Sequence, residues 1–597
     1  MSNLHSVYNI LPEPKSIKMT EGAFSLSNIC ILIEDGIDAR VIKKAAELKT
    51  KIFEKTGKKV VLSRALAREK AITISKDASL SSEGYSIEVT TDGIKIAGGD
   101  DAGCFYGIVT LLEMLETEGT SLPCVIINDA PDMSYRGFYF DATRGRVPSI
   151  EGAKKLILRL AKSKVNVLQF YVEHTFDFKE FYSVDRTDED YLTADDILEL
   201  DAFCYDNFID FQPSISTFGH LFELLMLKEH EHLRELEDYT MVYHFWENRM
   251  FHHTIDADNP ESVALICSMI DQYMPLFRSK YFNICCDETF DLCKGRNQGK
   301  DATKLYVSYV QKITKHITDA GKKVMMWGDI ALQHPDMLEF LPKDTILLNW
   351  TYAADPDITR IEKVKDCGFE QIVCPGTSSW SSLIELTMHS VPNIMKLAKG
   401  GYDNGAIGIL NTCWGDYGHP AHPECCTYGI VLGACVAWNK DTRADEDFEK
   451  KVSRIYYKSD DNIIALINDL ALSHLNKKTL DYCSNTYLEC YMWYHHKKIE
   501  NFKSTVEEIE ESLNTARSIR AALRDVKGDE ELLRCLRNSA DGIVLLNEVA
   551  LEVKTNGVVS KAWHEAKDAW LEEFKNCWLL SSKRSELMNI YEFFSKM

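Results

Sequence analysis

The sequence predicts an α/β protein: a (β/α)8 barrel preceded by a small α/β domain and followed by a mostly helical C-terminal region. Three observations carry this expectation. Between Ser134 and about Asn439, short apolar runs alternate with helix-like segments, the pattern of repeated βα units. Several of these runs end abruptly in carboxylates or tryptophan, most sharply YFNICCDE at 281–288, which closes in Asp287 and Glu288. A β-branched and aromatic run closed by acids reads as a buried parallel strand delivering charge at its C-terminal end, where α/β barrels keep their chemistry. From about residue 445 onward, Glu, Lys, Leu and Ala recur at helical spacing, as in NFKSTVEEIEESLNTARSIRAALRDV.

A chain of 597 residues is too long for one core and divides into about three units. The expected limits are 1–130, 131–442 and 443–597. In the first, strand patterns at 71–74, 85–89 and 93–97 mix with helices at 39–56 and 103–116. Its GGDDAG turn at 98–103 opens a helix and has the general form of a phosphate cradle, but it lacks the P-loop lysine and the dinucleotide glycine spacing. It reads as a turn and a helix cap. The barrel strands are expected at 136–141, 165–173, 208–216, 282–288, 323–329, 345–352, 370–375 and 406–414. IEGAKKLILRLAKSK and DATKLYVSYVQKITKHITDAG supply helices of the outer ring. The third unit should form a helical bundle, its charge alternation a solvated helix face.

Composition narrows the function classes. With 45% hydrophobic residues the chain is an ordinary globular protein. A formal net charge of -23 argues against nucleic acid and anionic membranes, whose phosphates would repel it. The N-terminal MSNLHSVYNILPEPKS lacks the basic and apolar regions of a signal peptide, and no run is long enough to span a bilayer, so a cytoplasmic location is expected. Eighteen cysteines, including the adjacent pairs Cys285-Cys286 and Cys425-Cys426, then read as reduced, mostly buried thiols.

If the strands hold, their C-terminal ends form one pocket. The first gives Asp141 and Arg144, the second Glu173 and His174, the third is followed by His220, and the fourth gives Asp287 and Glu288. The fifth ends in Trp327 and Asp329, the sixth in Trp350 and Tyr352, the seventh is followed by Trp380, and the eighth ends in Trp414 and Asp416. Indole faces with carboxylates between them suit a pyranose, whose C–H faces stack on aromatics while its hydroxyls need directional acceptors. The bland alternatives are tryptophans that merely plug the barrel top and a structural Glu173-His174 ion pair. Two other chemistries deserve weighing. Cys413, His419, His422, Cys425 and Cys426 offer zinc-ligand types, although without paired CxxC knuckles. A nucleophilic Cys285 or Cys286 is disfavoured by neighbouring carboxylates, which raise a thiol pKa.

The ordered motifs resemble glycoside hydrolase family 20, the exo-acting β-N-acetylhexosaminidases, over the first 440 or so residues. EGYSIEVTTDGIKIAGGDDAGCFYGIVTLLEML looks like the small domain preceding the family's barrel; YRGFYFDATRGR carries a D-x-x-R pattern at Asp141 and Arg144. FGH at 218–220, NICCDE, MMWGD, LNWTY and CWGD follow in order. The resemblance implies a retaining, substrate-assisted mechanism in which Glu288 is the general acid and then base, while Asp287 orients and stabilises the attacking 2-acetamido group. It implies that Arg144 and Asp416 bind hydroxyls of the terminal sugar, that Trp327, Trp350 and Trp414 wall it, and that no metal or organic cofactor takes part. The chain departs from the family pattern in three places. His174-Thr175 stand where an acidic pair is usual, Ser214 and Ser216 replace third-strand acids, and Trp380 occupies the region of the family's tyrosine. The expected activity is release of terminal β-linked GlcNAc or GalNAc from glycans; the alternatives are a barrel glycosidase of shifted specificity, for a modified amino sugar or a released disaccharide, and a non-catalytic carbohydrate-binding protein. No partner beyond carbohydrate is implied, and oligomeric state is left open.

Overall fold

The computed structural model describes residues 8–597 apart from 28, 65–69, 238–248, 330–331, 333–334, 476–484, 497 and 596. The first seven residues, part of the segment read for an export signal, lie outside the described residues.

The chain opens with a seven-stranded sheet: β1 (Ser16–Ser25), β2 (Cys30–Ile33), β3 (Val61–Ser63), β4 (Ala71–Lys76), β5 (Tyr85–Val89), β6 (Gly93–Gly98) and β7 (Ser121–Asp129), in the order β1-β7-β5-β6-β4-β2-β3. Helices α1 (Ala39–Thr56) and α2 (Asp101–Glu118) pack on it. The three expected strands and both helices are present. Of the others, β1 is a largely exposed edge strand whose apolar alternation stops after Met19, and β2 and β3 are very short; β7 is an apolar run that sequence reading missed. The GGDDAG turn is a cap. Asp100 Oδ1 accepts the Gly103 amide at 2.8 Å, and a side chain on Gly103 would reach within 2.2 Å of the Gly84 carbonyl.

Eight parallel strands then close a barrel: β8 (Tyr135–Asp141), β9 (Val167–Val172), β10 (Asp210–Ile215), β11 (Tyr281–Asn283), β12 (Lys323–Trp327), β13 (Ile346–Trp350), β14 (Gln371–Cys374) and β15 (Gly408–Cys413), with β15 pairing back to β8. Every expected run contributes a strand. The run 282–288 needs correction, since pairing stops at Asn283 and the acids stand in a loop. The Asn283 side chain accepts the Cys285 amide at 3.0 Å, and Cys285, Cys286 and Glu288 then take left-handed backbone with φ of 58°, 64° and 48°.

The barrel interior is layered. Low in it, Tyr135, Gln169, Gln212 and Asn283 satisfy one another in a buried hydrogen-bond network. Above them Tyr139, Tyr171, Trp327 and Trp414 pack edge and tilted, with centroids 5.1 to 6.1 Å apart, and make a rigid floor.

Past residue 445 the chain is helical, from Glu446–Ile455 to Leu587–Ser595, and it packs on the β14–β15 side of the barrel, where Ile384, Ile394 and Val431 share a core with Ile467 and Leu546. One part reaches further. Residues 581–586 run beside the loop that follows β8, pairing Pro148 with Ser582 in an antiparallel bridge.

Candidate active site

The C-terminal ends of the barrel strands surround a cavity of about 280 Å³ lined by Arg144, Asp287, Glu288, Trp327, Trp350, Tyr352, Trp380, Trp414, Asp416 and Tyr417, with Arg249 and Met250 completing the wall. Of the fourteen residues expected at the strand ends, nine line it directly; Asp141, Glu173, His174, His220 and Asp329 do not, and His220 lies beneath the acids.

Asp287 is nearly buried and Glu288 half-exposed. His220 Nε2 sits 3.5 Å from Asp287 Oδ2 and 3.2 Å from Glu288 Oε2, off the line of a well-formed hydrogen bond. Its own left-handed backbone (φ 55°) is held by its backbone N–H, which donates a hydrogen bond to His253 Nδ1 at 2.6 Å, and the two imidazoles stack at 4.8 Å. Burial opposes charge on His220, but the two carboxylates prevail and lift it to about 10, so it is a cation at neutral pH. The other oxygen of Asp287, Oδ1, is buried and accepts no hydrogen bond from the described residues.

Asp329 lies behind this pair. Its Oδ2 accepts the Glu288 amide at 3.2 Å and its Oδ1 the Trp350 indole N–H at 3.4 Å. Burial, with the charge of Asp287 added, pushes its carboxyl up to about 7.

At the opposite end Arg144 pairs with Asp416 (3.0 Å) and approaches Glu173 (3.6 Å), its guanidinium lying over Tyr171 and Trp414 at 5.1 and 5.2 Å. Asp141 works as an anchor: it accepts the amides of Thr143 and Arg144 and, from the last barrel strand's loop, that of Gly415, each at 3.0 Å. Burial raises the Asp416 carboxyl against the pull of Arg144. Glu173 accepts the Tyr171 hydroxyl at 2.8 Å and supports Arg144, whereas burial pushes His174, 4.0 Å away, down to about 3 and keeps it neutral, so the two form no ion pair, and neither lines the cavity.

The aromatic wall is cross-braced. Trp414 donates its indole N–H to the Tyr352 hydroxyl at 2.6 Å, while Tyr352 stacks on Trp350 at 5.2 Å and packs against Trp380 at 5.0 Å. Gly376 makes room, because a Cβ there would lie 2.9 and 3.0 Å from those two rings. The serines that replace third-strand acids are filled in by tyrosines: Tyr139 bonds Ser214 at 2.9 Å and Ser216 donates to Tyr171 at 2.9 Å.

The zinc alternative is met in part: Cys413 stays within side-chain reach of Cys426 and His419, although among the described residues these three do not bring their donor atoms within 4.8 Å of one another. His422 is bound between Arg146 (3.0 Å) and Asn538 (2.9 Å), and Cys425 contacts Ser539 at 3.4 Å, which removes two of the five candidate zinc ligands. Cys285 and Cys286 are buried, and desolvation lifts both thiols, Cys286 to about 12. Among the described residues, one set of three metal-ligand types has its donor atoms within 4.8 Å of one another: His220, Asp287 and Glu288.

Sequence reasoning placed Asp329 and Tyr352 in the strand-end pocket without giving either a role there. Arg249, Met250 and Tyr417 it missed. The first two stand in the long β10–β11 connection with no motif around them, and Tyr417 follows Asp416 directly, a proximity that was available to read.

The comparisons agree with this geometry. Residues 7–130 match the model for glycosyl hydrolase family 20, domain 2, and residues 133–381 that for the glycosyl hydrolase family 20 catalytic domain. A lacto-N-biosidase of Bifidobacterium bifidum is 23% identical over 54% of this chain and 29% of its own length, and a beta-hexosaminidase of Porphyromonas gingivalis is 24% identical over 54% of this chain and 45% of its own. The chain thus spans less than half the length of these curated relatives. The crystal structure of beta-N-acetylhexosaminidase from Bacteroides fragilis superposes with a TM-score of 0.60 at 17% identity, covering 75% of this chain and 95% of that one, a likeness of fold. Two family domains matched in succession over most of the chain, on a barrel whose strand ends carry the Asp287-Glu288 pair, place this protein in glycoside hydrolase family 20.

Proposed function

We propose that the protein is an exo-β-N-acetylhexosaminidase that removes terminal β-linked GlcNAc or GalNAc by a retaining, substrate-assisted mechanism. The observation that carries this reading is the placement of Asp287 and Glu288 on one rim of an aromatic cavity whose far end is closed by Arg144 and Asp416. At about 280 Å³ the cavity lies at the lower edge of the roughly 300–1,000 Å³ range of ligand sites, a size suited to one sugar residue entering end-on.

In this reading the terminal sugar stacks on the indoles while Arg144 and Asp416 take its distal hydroxyls. Asp287, which lines the cavity, receives the acetamido N–H, aligns the carbonyl oxygen and stabilises the positive charge that develops as that oxygen attacks the anomeric carbon. Glu288 gives its proton to the leaving oxygen as the glycosidic bond breaks, then takes one from the water that opens the oxazolinium. His220⁺ keeps the two carboxylates apart in role, contacting one oxygen of each. Every step is supplied by the protein and the substrate's own amide.

Chromogenic β-GlcNAc, β-GalNAc and β-glucoside substrates test the proposal. Hydrolysis of the acetamido sugars with retention is expected, and activity confined to the glucoside would refute substrate assistance. Product analysis on oligosaccharides separates an exo-hexosaminidase from the shifted-specificity reading, which would yield a disaccharide.

A further inference from the structure

The C-terminal helical region reaches the cavity lining at two places: Tyr487 and Tyr491 hold Tyr417, and a carboxylate, Glu586, holds Arg249. Arg249, buried in the cavity wall, is clamped between two acids: Glu223 of the β10–β11 connection, 3.1 Å from its Nε, and Glu586, which holds Nη1 at 3.2 Å and also Nη2. Glu586 belongs to the segment before the last helix, some 337 residues further along the chain. Its own amide donates to the Gly145 carbonyl at 3.2 Å, and the neighbouring Ser585 hydroxyl donates to the same oxygen at 2.7 Å. Gly145 directly follows Arg144. The segment continues along that loop, with Lys583 N–H on the Val147 carbonyl (2.8 Å) and Ser149 N–H on the Ser581 carbonyl (3.0 Å). On its other side the loop has no slack, since a Cβ on Gly145 would lie 2.2 Å from the Gly418 carbonyl.

We propose that Glu586 is a positioning residue for sugar binding, fixing Arg249 as a wall of the cavity and securing the loop that presents Arg144. The proposal rests on the reading of this cavity as the terminal-sugar site. A buried arginine between two carboxylates is weak evidence of a stability device, because its desolvation offsets much of the attraction. Its geometric value is greater: a bidentate carboxylate fixes the plane of a guanidinium. Glu586 Oε1, which holds Arg249, stands 3.8 Å from His174 Nε2, and His174 Nδ1 stands 4.0 Å from Glu173, the carboxylate beside Arg144, which puts Arg249 at the Arg144 end of the cavity. A contact there binds ground state and transition state alike, so its loss should appear in KM more than in kcat.

The test is a double-mutant cycle on the full chain with an aryl β-N-acetylglucosaminide. Glu586→Gln should raise KM about tenfold with kcat within about twofold, Glu586→Asp should recover part of the loss, and Glu586→Gln/Arg249→Met should bind no worse than Arg249→Met alone. Independent, additive losses overturn the proposal, as does a Glu586→Gln variant that melts earlier but keeps its KM. If the native protein cleaves no hexosaminide, the catalytic reading fails separately, and the same cycle is read by titration calorimetry with N-acetylglucosamine. Non-additive weakening of that binding then sustains the positioning role; additive or absent weakening, or no binding by the native protein, overturns it.

Discussion

Two adjacent carboxylates can divide their work only if their surroundings differ, and here they do. Asp287 is nearly buried, with one oxygen toward His220 and the other unpartnered, whereas Glu288 is half-exposed at the cavity rim with its amide tied to Asp329. Glu288→Gln should therefore cost most with poor leaving groups, because a good leaving group needs little protonation. Asp287→Asn should slow the first step even with an activated aryl glycoside. Both variants should fold and lose at least about a hundredfold in turnover on a natural glycan, within the usual range for removing acid/base or electrostatic catalysis. Pre-steady-state rates with aryl glycosides of graded leaving group check this, and near-native turnover in both would remove the assignment. Tyr352 stands where a second measurement helps. Tyr352→Phe leaves the Trp414 indole N–H without its acceptor, at a cost of about 1–3 kcal/mol in stability. A fall in kcat beyond that loss of folded protein, measured on the same preparation, would show that the hydroxyl also meets the substrate.

At the level of elements, the loop after β11 sets the site, and it shows why part of the site was legible in sequence and part was not. Each barrel strand could be read because a fully buried strand is a short, near-continuous apolar run, and the residues at and just beyond its C-terminal end are the ones that meet ligand. Asp287, Glu288, Trp327, Trp350 and Trp414 follow from that rule. What the run YFNICCDE conceals is where pairing stops, since nothing in its hydrophobicity separates three paired residues from a left-handed turn. Arg249 and Glu586 were illegible for another reason: each is a common surface residue type, and their meeting is set by tertiary packing across the whole chain. Asn283 is the hinge of the loop, ending the strand through its carbonyl oxygen and donating to Gln169 at 2.9 Å. Asn283→Ala should cost about 1–3 kcal/mol from unpaired buried groups, and it should lower turnover per folded molecule as Asp287 and Glu288 lose their mooring. Asp329 ties the same loop to β12 and β13, with a folded-state pKa of about 7 against an ordinary 3.8. Because the folded value is the higher one, the stabilising contribution of its proton is complete below the ordinary value and is lost as pH rises through about 7. The melting temperature of Asp329→Asn minus that of the native protein should accordingly climb between about pH 4 and pH 7 and level off above, and a difference independent of pH would contradict the shift.

Across the whole molecule, the sheet domain and the barrel behave as one packed body because they share buried polar nodes as well as apolar contacts. Arg136 at the start of the first barrel strand, fully buried, reaches back to Glu83 at 2.8 and 2.9 Å. Deeper still, Lys164, just before β9, places its ammonium 2.8 Å from the Tyr85 hydroxyl and 3.4 Å from Asp129 at the end of β7, while Trp438 beyond the last barrel strand donates to the same Asp129 oxygen at 2.9 Å. Lys164 and the Asp129 side chain are wholly buried, and desolvation pulls the ammonium's pKa down despite the carboxylate beside it. Such a pair is poor evidence of added stability, yet breaking it from one side leaves a buried carboxylate without its counter-charge. Lys164→Met, which keeps most of the volume, should cost about 3–5 kcal/mol, whereas replacing Lys164 and Asp129 together by apolar residues should recover much of that loss. Because the node joins the sheet domain to both ends of the barrel, the single variant should lower the melting of both together, followed by far-UV and near-UV circular dichroism. Early melting of the sheet domain alone, with the barrel transition unmoved, would mean that the two bodies are stabilised separately and that the node is only local.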